Sequence, residues 1–308
     1  PTLRGKYRSR DEDSVVTEAE RLAAAGVREL LLISQDTTFF GVDRGRRGAL
    51  ASLLRRLNQI DGLEWIRLLY LYPTTITDDV LDAMAECDKV CKYVDLPLQH
   101  ASADVLRRMR RPGQRAAYDK LLARIRARVP GVSLRTTFIV GFPGETESDF
   151  EQLCDLLEEV RFERVGAFTY SPQEGTAGAL LDDDVPMPVK RDRLERLTEL
   201  QRAITAERYE RHIGQRVRGI IDRVDEVSGE TVGRLIWQAD DIDGISRFDG
   251  DAAPGSIVDA IVQDVVDDYD FIARIVHVHD SPAATPRLAR VGRSLPVMAA
   301  ATTASYGR

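Results

Sequence analysis

Between residues 10 and 211, amphipathic helical segments alternate with short apolar runs. The runs are RELLLIS, WIRLLYLYP, KYVDLPL, SLRTTFIVGF and RVGAFTYS. Strands that are apolar on both faces and alternate with helices are typical of a parallel sheet covered by helices. Because five strands are too few for a closed eight-stranded barrel, the pattern predicts an α/β fold whose sheet is either doubly wound or an open, partial barrel.

Residues 212–279 have a different character. Four runs of alternating apolar and polar residues, RVRGIIDRV, TVGRLIW, SIVDAIVQDV and YDFIARIVHV, are separated by Gly and Asp turns. This pattern predicts a small all-β barrel or sandwich. Six arginines against fourteen acidic residues give this part a charge of −8. Residues 280–308, rich in Ala, Pro, Ser and Thr, are predicted to be a disordered tail.

Composition excludes several classes of protein. The chain has a formal net charge of −7, and no apolar run approaches the roughly 18 residues of a membrane span. A membrane protein and a nonspecific nucleic-acid binder are therefore disfavoured. Three cysteines, Cys87, Cys91 and Cys154, make no disulfide framework and favour a cytoplasmic location. Cys87 and Cys91 lack the further ligands that a zinc or iron–sulfur site requires, so no metal ligand is assigned.

The carboxyl ends of the predicted strands carry the candidate site residues, since ligands of parallel sheets bind there. Gln35 and Gln99 each follow a strand, where they could bind a ligand or hold the local structure. In the loop GFPGE, Gly141 and Phe142 precede a helix, so backbone amides could approach a ligand. The alternative for this loop is a tight turn without a ligand.

Two further residues have structural alternatives. Arg135 lies inside an apolar strand, where a guanidinium needs an anionic partner, either a ligand carboxylate or a neighbouring Asp. His100 is more often a structural hydrogen bonder than a catalytic group. No residue can be assigned a catalytic role from the sequence.

The motifs taken together resemble the radical S-adenosylmethionine (SAM) methylthiotransferases. They are GKYRSR, LLISQDTTFFGVD, WIRLLYLYP, VCKYVDLPLQHAS, RRMRRPG, LRTTFIVGFPGETESDF and FTYSPQEGTAGA, and VGRLIWQADDIDG resembles the family's TRAM domain. The resemblance covers about residues 3 to 279. It implies a partial barrel of the radical SAM type over residues 1–211 and a TRAM-like barrel over 212–279. In the family, GKYRSR follows a Cys-x3-Cys-x2-Cys loop, so we expect that loop and an N-terminal domain to precede Pro1.

The resemblance implies SAM and two [4Fe–4S] clusters in the full-length protein, with cluster ligands outside this sequence. The cofactor and cluster chemistry would generate a radical at the substrate and supply the methylthio group, with electrons from an external donor. By position, Gln35, Gln99, Arg135, Gly141 and Phe142 would line the SAM pocket.

The substrate implied is an aspartate of the twelfth small-subunit ribosomal protein. The charge of −8 on residues 212–279 would attract a basic ribosomal protein and repel tRNA. The motifs TTFIVGF and PLQHAS also favour the protein-modifying members. Two alternatives remain open: a tRNA adenosine methylthiotransferase, and a binding module without a cluster and without catalysis.

Overall fold

A computed structural model describes residues 5–280 of the chain. The tail predicted over residues 280–308 lies outside the described residues except at its first position. The first part of the described chain contains five parallel strands, β1 to β5, and seven helices, α1 to α7. The strands are Glu29–Leu32, Trp65–Leu68, Tyr93–Asp95, Ser133–Val140 and Arg164–Thr169. The helices are Glu12–Ala24, Ala49–Leu57, Asp78–Glu86, Ala103–Arg108, Arg115–Arg128, Glu147–Val160 and Met187–Glu210.

The five strands form two parallel groups that an isolated bridge at Ile66 joins. Strand β1 pairs with β2, and β3 pairs with β4, which pairs with β5, all in parallel register. Ile66 links the two groups, because its N–H donates to Lys89 O at 2.7 Å and its carbonyl accepts from Cys91 N–H at 2.9 Å. The series β1 to β5 follows chain order, as expected for βα units with crossovers of one hand. The predicted open parallel βα barrel is confirmed.

The two faces of the strands have different neighbours. Ile66 and Leu68 of β2 pack into the main core with the helices. Their neighbour Trp65 packs instead with Leu69 and Tyr93 against the C-terminal part of the chain. The sheet thus has a helix-covered face and a concave face, and only the helix-covered face is packed by helices of its own domain.

The second part of the described chain is a closed barrel of five strands, β6 to β10. They are Arg216–Val224, Thr231–Leu235, Ser246–Asp249, Ile257–Val266 and Asp270–Asp280. Around the barrel the order is β10, β8, β7, β6, β9, with β8 and β10 parallel and the other pairs antiparallel. This is the topology of the OB-fold. The all-β prediction is confirmed as a barrel, but the sequence pattern missed β8, because this strand has only four residues and Arg and Asp interrupt its apolar character.

Buried charges join the barrel to the amino ends of the sheet strands. Arg67 of β2 is fully buried and donates to Glu29 Oε1 at 2.9 Å and to Ile236 O at 3.1 Å. Arg234 of β7 donates to the other oxygen of Glu29 at 2.6 Å. A second group centres on Asp243, which follows β7 and is 1% exposed. The barrel therefore covers the amino end of the concave face and leaves the carboxyl end open.

No helix within residues 5–280 combines the length and apolar character required to span a membrane.

Candidate functional site

Three residues other than glycine adopt left-handed backbone conformations near the carboxyl ends of the strands. Tyr70 follows β2 with φ 56°, Gln99 follows β3 with φ 74°, and Arg110 follows α4 with φ 54°. Such conformations cost on the order of 1–3 kcal/mol for residues with a Cβ and cluster at functional sites. Their concentration at this end of the sheet marks it as the candidate site.

A pocket of about 470 Å³ opens on the concave face beside β4 and β5. Its lining includes polar, aromatic and cationic side chains, among them Gln99, Arg108, Arg111, Thr137, Phe142 and Tyr170. Phe142 and Tyr170 meet edge to face, with ring centroids 4.8 Å apart. Beyond the pocket, the carboxyl end also exposes Ile33 and Tyr70, which are 58% and 49% accessible. Apolar surface with a few polar groups is typical of a cofactor or substrate site.

The GFPGE loop wraps around the carboxylate of its own last residue, Glu145. Glu145 is buried, and its Oε2 accepts hydrogen bonds from the backbone N–H groups of Gly141 at 2.8 Å and Phe142 at 3.2 Å. Its Oε1 accepts from Arg193 Nη1 of α7 at 2.9 Å. The two loop amides are therefore satisfied within the protein, and the loop presents the Phe142 ring to the pocket. Sequence reasoning missed Glu145, although it is a carboxylate directly before a helix cap.

The start of α6 is fixed to the start of α4. Thr146 and Asp149 form a capping box at the N-terminus of α6. The hydroxyl of Ser102, the N-cap of α4, donates to Asp149 Oδ1 at 2.5 Å. Burial opposes ionisation of Asp149, but the hydrogen bonds from Ser102 and Thr146 prevail and hold its pKa below the usual value. Helix α4 is thereby anchored at the edge of the pocket.

Behind the loop, Lys190 of α7 packs against Gly141. Lys190 is 1% exposed, donates to Asp183 Oδ1 at 2.7 Å, and lies 5.0 Å from the centre of the Tyr170 ring. Gly141 has φ +72°, and a Cβ there would collide with the Lys190 side chain. Gly141 is therefore required by both its backbone conformation and this close approach.

The structure brings together some of the sequence-selected residues. Gln99 and Phe142 line the same pocket, and Gly141 lies directly before Phe142 in the loop. Gln35 is exposed after β1 and is not among the pocket-lining residues. His100 is fully buried; its Nδ1 accepts from Ser102 N–H at 3.0 Å and its Nε2 lies 3.4 Å from Glu145 Oε2, and its structural role stays a prediction.

Arg135 lies lower on the concave face, towards the barrel. Its Nη1 donates to Asp95 Oδ1 at 2.7 Å, and its Nε lies 3.6 Å from Asp243 Oδ1. The sequence left two kinds of partner open for Arg135, a ligand carboxylate or a neighbouring Asp, and the structure provides neighbouring aspartates. Its assignment to the cofactor pocket remains a prediction.

The cysteines have buried surroundings. Cys87 and Cys91 are 3% and 0% exposed, and burial raises the pKa of Cys91 to about 11. Burial also raises the pKa of Cys154 to about 11. These groups are thiols at neutral pH, whereas metal ligation requires thiolates. Within residues 5–280, no three His, Cys, Asp or Glu side chains converge to hold a metal ion, so these residues do not fit a [4Fe–4S] cluster.

The concave face does fit SAM. The pocket volume lies within the usual range for small-molecule sites, roughly 300–1,000 Å³. Phe142, Phe168 and Tyr170 give the lining aromatic surface against which an adenine would pack, and the side chains of Gln99 and Thr137 would suit the polar part of the molecule.

Sequence reasoning also missed Arg108 and Arg111. The available signal was the run RRMRR at residues 107–111, which begins in the last turn of α4 and continues past its end. Such a run is usually a solvated helix face, and only the position of α4 and of the turn after it shows that two of the four arginines line a pocket.

Comparison with known proteins identifies the class. The model of the Radical SAM superfamily matches residues 1–157 of the chain. A solved structure described as coproporphyrinogen III oxidase (HemN) from Escherichia coli, a radical SAM enzyme, covers 65% of this chain and 48% of its own with a TM-score of 0.50 and 19% identity, a similarity of fold. The chain belongs to the radical SAM superfamily.

Within that class, the chain is similar to curated relatives named "Ribosomal protein uS12 methylthiotransferase RimO". The relative from Desulforamulus reducens is 45% identical over 249 residues, which are 80% of this chain and 56% of the relative. The relative from Thermosynechococcus vestitus is 44% identical over 281 residues, 91% of this chain and 63% of the relative. The chain thus spans about three fifths of the length of these relatives.

Proposed function

We propose that this chain is part of a radical SAM methylthiotransferase that adds a methylthio group to an aspartate of ribosomal protein uS12. The observation that carries the proposal is 44–45% identity over 80–91% of the chain to relatives of that name. The open carboxyl end of the sheet supports it, since it presents a pocket of suitable size and chemistry. A ribosomal substrate would place the reaction in the cytoplasm.

In the proposed reaction, SAM supplies the radical source and methyl chemistry when bound. Of the sequence-selected residues, Gln99 and Phe142 would contact it from the pocket wall, and Gly141 would hold the Phe142 ring in place. Gln35 and Arg135 would bind it from the rest of the concave face. The tightly hydrogen-bonded Glu145 loop would keep the pocket wall rigid. Two [4Fe–4S] clusters, with ligands other than residues 5–280, and an external electron donor would complete the system.

The C-terminal barrel would contribute to recognition of the basic ribosomal protein. The structure refines the charge argument, because seven of the fourteen acids between 212 and 279 form ion pairs with His or Arg. The other seven have no ion pair within residues 5–280: Asp225, Glu226, Glu230, Asp241, Asp249, Asp251 and Asp264. Six of them are exposed and Asp225 is partly buried. We propose this set as the surface that attracts the ribosomal protein and disfavours tRNA.

A gene deletion in the source organism tests the function. We expect uS12 from the deletion strain to be lighter by the mass of one methylthio group, as measured by intact-protein mass spectrometry. The amount of methylthioadenosine in tRNA hydrolysates should stay unchanged. Loss of the tRNA modification while the mass of uS12 stays the same as in the parent strain would instead establish the tRNA alternative. No change in either molecule would favour the binding module without catalysis.

A further inference from the structure

We propose that Arg111, assisted by Arg108, binds the carboxylate of the substrate aspartate at the mouth of the pocket and selects an acidic side chain. This inference rests on the proposed function and names the group that recognises its substrate. It makes Arg111 a specificity-determining residue.

The charges of the pocket carry the inference. Among the described residues that line it, Arg108 and Arg111 are the charged ones, and no aspartate or glutamate is present. Arg111 has no ion pair within residues 5–280, and its guanidinium lies 5.7 Å from the centre of the Tyr72 ring. Arg108 donates to Pro143 O at 3.4 Å and lies near enough to Asp149 to help lower the pKa of that carboxyl. Arg111 is therefore the less neutralised of the two cations.

The backbone holds Arg111 in place. Helix α4 ends in a Schellman motif, in which Arg111 N–H donates to Leu106 O at 2.8 Å and Arg110 N–H donates to Arg107 O at 3.0 Å. The earlier of these two donors in the chain occupies the left-handed position of the motif, which is usually a glycine and here is Arg110. The reversal of chain direction returns Arg111 towards the strand ends. Since Ser102 anchors the start of α4 through Asp149, the short helix that leads to Arg111 is held at both ends.

A carboxylate fits these residues better than a neutral group. A guanidinium can donate two parallel hydrogen bonds to a carboxylate, and such charge-assisted bonds are about twice as strong as neutral ones. Arg108 ends α4 and Arg111 follows it, so both reach the pocket from the helix side and not from the strands. We therefore assign them to its mouth, where a protein side chain would enter. The surface beneath, with Gln99 and Thr137, stays available to the cofactor.

Peptide binding to the 308-residue chain tests this assignment. Two fluorescent peptides are compared by anisotropy at low salt: the uS12 segment that contains the target aspartate, and the same segment with asparagine there. We expect the aspartate peptide to bind about tenfold more tightly. Arg111→Gln should remove most of that tenfold difference and leave the affinity for the asparagine peptide within about twofold. Arg111→Lys, which keeps the charge, should restore part of the discrimination.

The matched control is Arg107→Gln, in helix α4 four residues before Arg111. Arg107 is exposed and pairs with Asp104, so this variant should discriminate like the wild type. Equal affinity of the wild-type chain for both peptides, or no binding of either, would overturn the inference. So would an Arg111→Gln variant that still discriminates.

Arg111 could instead bind the carboxylate of SAM or a phosphate of tRNA, and parallel titrations with these two ligands distinguish them from the peptide. If Arg111→Gln weakens SAM binding and leaves peptide discrimination intact, the bound carboxylate is that of the cofactor and the inference is wrong. If it weakens binding of a tRNA anticodon stem-loop instead, the group is a phosphate. Failure of the peptide test together with loss of methylthiolated uS12 in the deletion strain would reject this inference and leave the proposed function standing.

Discussion

Glu145 is the single residue on which the pocket wall depends most. It accepts two loop amides and faces Arg193, which is also buried. We expect Glu145→Gln to lower the free energy of unfolding by about 3 kcal/mol, because the buried guanidinium of Arg193 loses its buried counter-charge and keeps only the half-exposed Glu147. Urea titration of the chain measures this.

Glu147→Gln is the matched control for Glu145. Glu147 pairs with the same Arg193, at 3.3 Å, but its side chain is half exposed. We expect this substitution to cost less than about 1 kcal/mol. Equal effects of the two variants would show that burial of the carboxylate does not decide the stability of the loop.

His212 makes stability depend on pH. It stacks on Trp237 with ring centres 4.2 Å apart, and burial lowers its pKa from the usual 6.5. The native state therefore favours the neutral ring, so this contribution to stability is present above pH 6.5 and is lost as the pH falls towards the native pKa. We expect His212→Phe, which keeps the stacking, to lose less stability than the wild type between pH 7 and pH 5. If urea titrations show that the two proteins lose the same free energy of unfolding across that pH range, the prediction is contradicted.

At the scale of elements, the end of α4 combines a good hydrogen-bonding pattern with an unfavourable residue. Arg110 occupies the left-handed position of the Schellman motif, where a Cβ costs on the order of 1 kcal/mol. Arg110→Gly should raise the free energy of unfolding by about 0.5–1 kcal/mol. Arg107→Gly, three residues earlier and inside the helix, should lower it by about 1 kcal/mol. Thermal denaturation of both variants tests whether the signs are opposite.

The elements differ in how far their sequence determines them. The strands β1 to β5 were predictable because their buried faces require apolar runs, and α6 because Thr146 and Asp149 cap it locally. Strand β8 was not, since four residues give too short a pattern. The pocket shows the same limit: Gln99 and Phe142 follow strands directly, whereas the position of Arg111 depends on a reversal of chain direction that the sequence does not specify.

At the scale of the molecule, Asp243 fastens the barrel to the sheet. It is 1% exposed; its Oδ2 accepts from Tyr93 OH at 2.5 Å, and its Oδ1 lies 3.6 Å from the Nε atoms of Arg135 and Arg164. Asp243→Asn should cost about 2–4 kcal/mol, because two guanidinium groups lose a buried counter-charge.

Loosening of the barrel should be visible as faster proteolysis between α7 and β6. Asp241→Asn is the control, since Asp241 is exposed and its left-handed φ of 61° suits Asn. An Asp243→Asn variant as resistant to protease as Asp241→Asn would show that apolar packing alone holds the barrel.

Sequence reasoning could not find this interface. It selected Arg135 as a buried guanidinium but passed over Arg67, which lies in the same position relative to its own strand. Both needed anionic partners, and each has one on a neighbouring strand, Glu29 for Arg67 and Asp95 for Arg135. The contacts that reach the barrel are far more distant in sequence, as the contact of Glu29 with Arg234 shows. Two residues that pair across about 200 positions leave no local pattern in the sequence from which the contact could be predicted.

The Asp243 cluster also bears on how such a protein can evolve. Tyr93, Arg135 and Arg164 sit on three different strands, and the carboxylate that serves them belongs to another domain. A recombined gene with a foreign C-terminal barrel that lacked an acid at this place would leave Arg164 without this ion pair and Arg135 with Asp95 alone. The two domains are therefore expected to be inherited together, with compensating changes on both sides of the boundary.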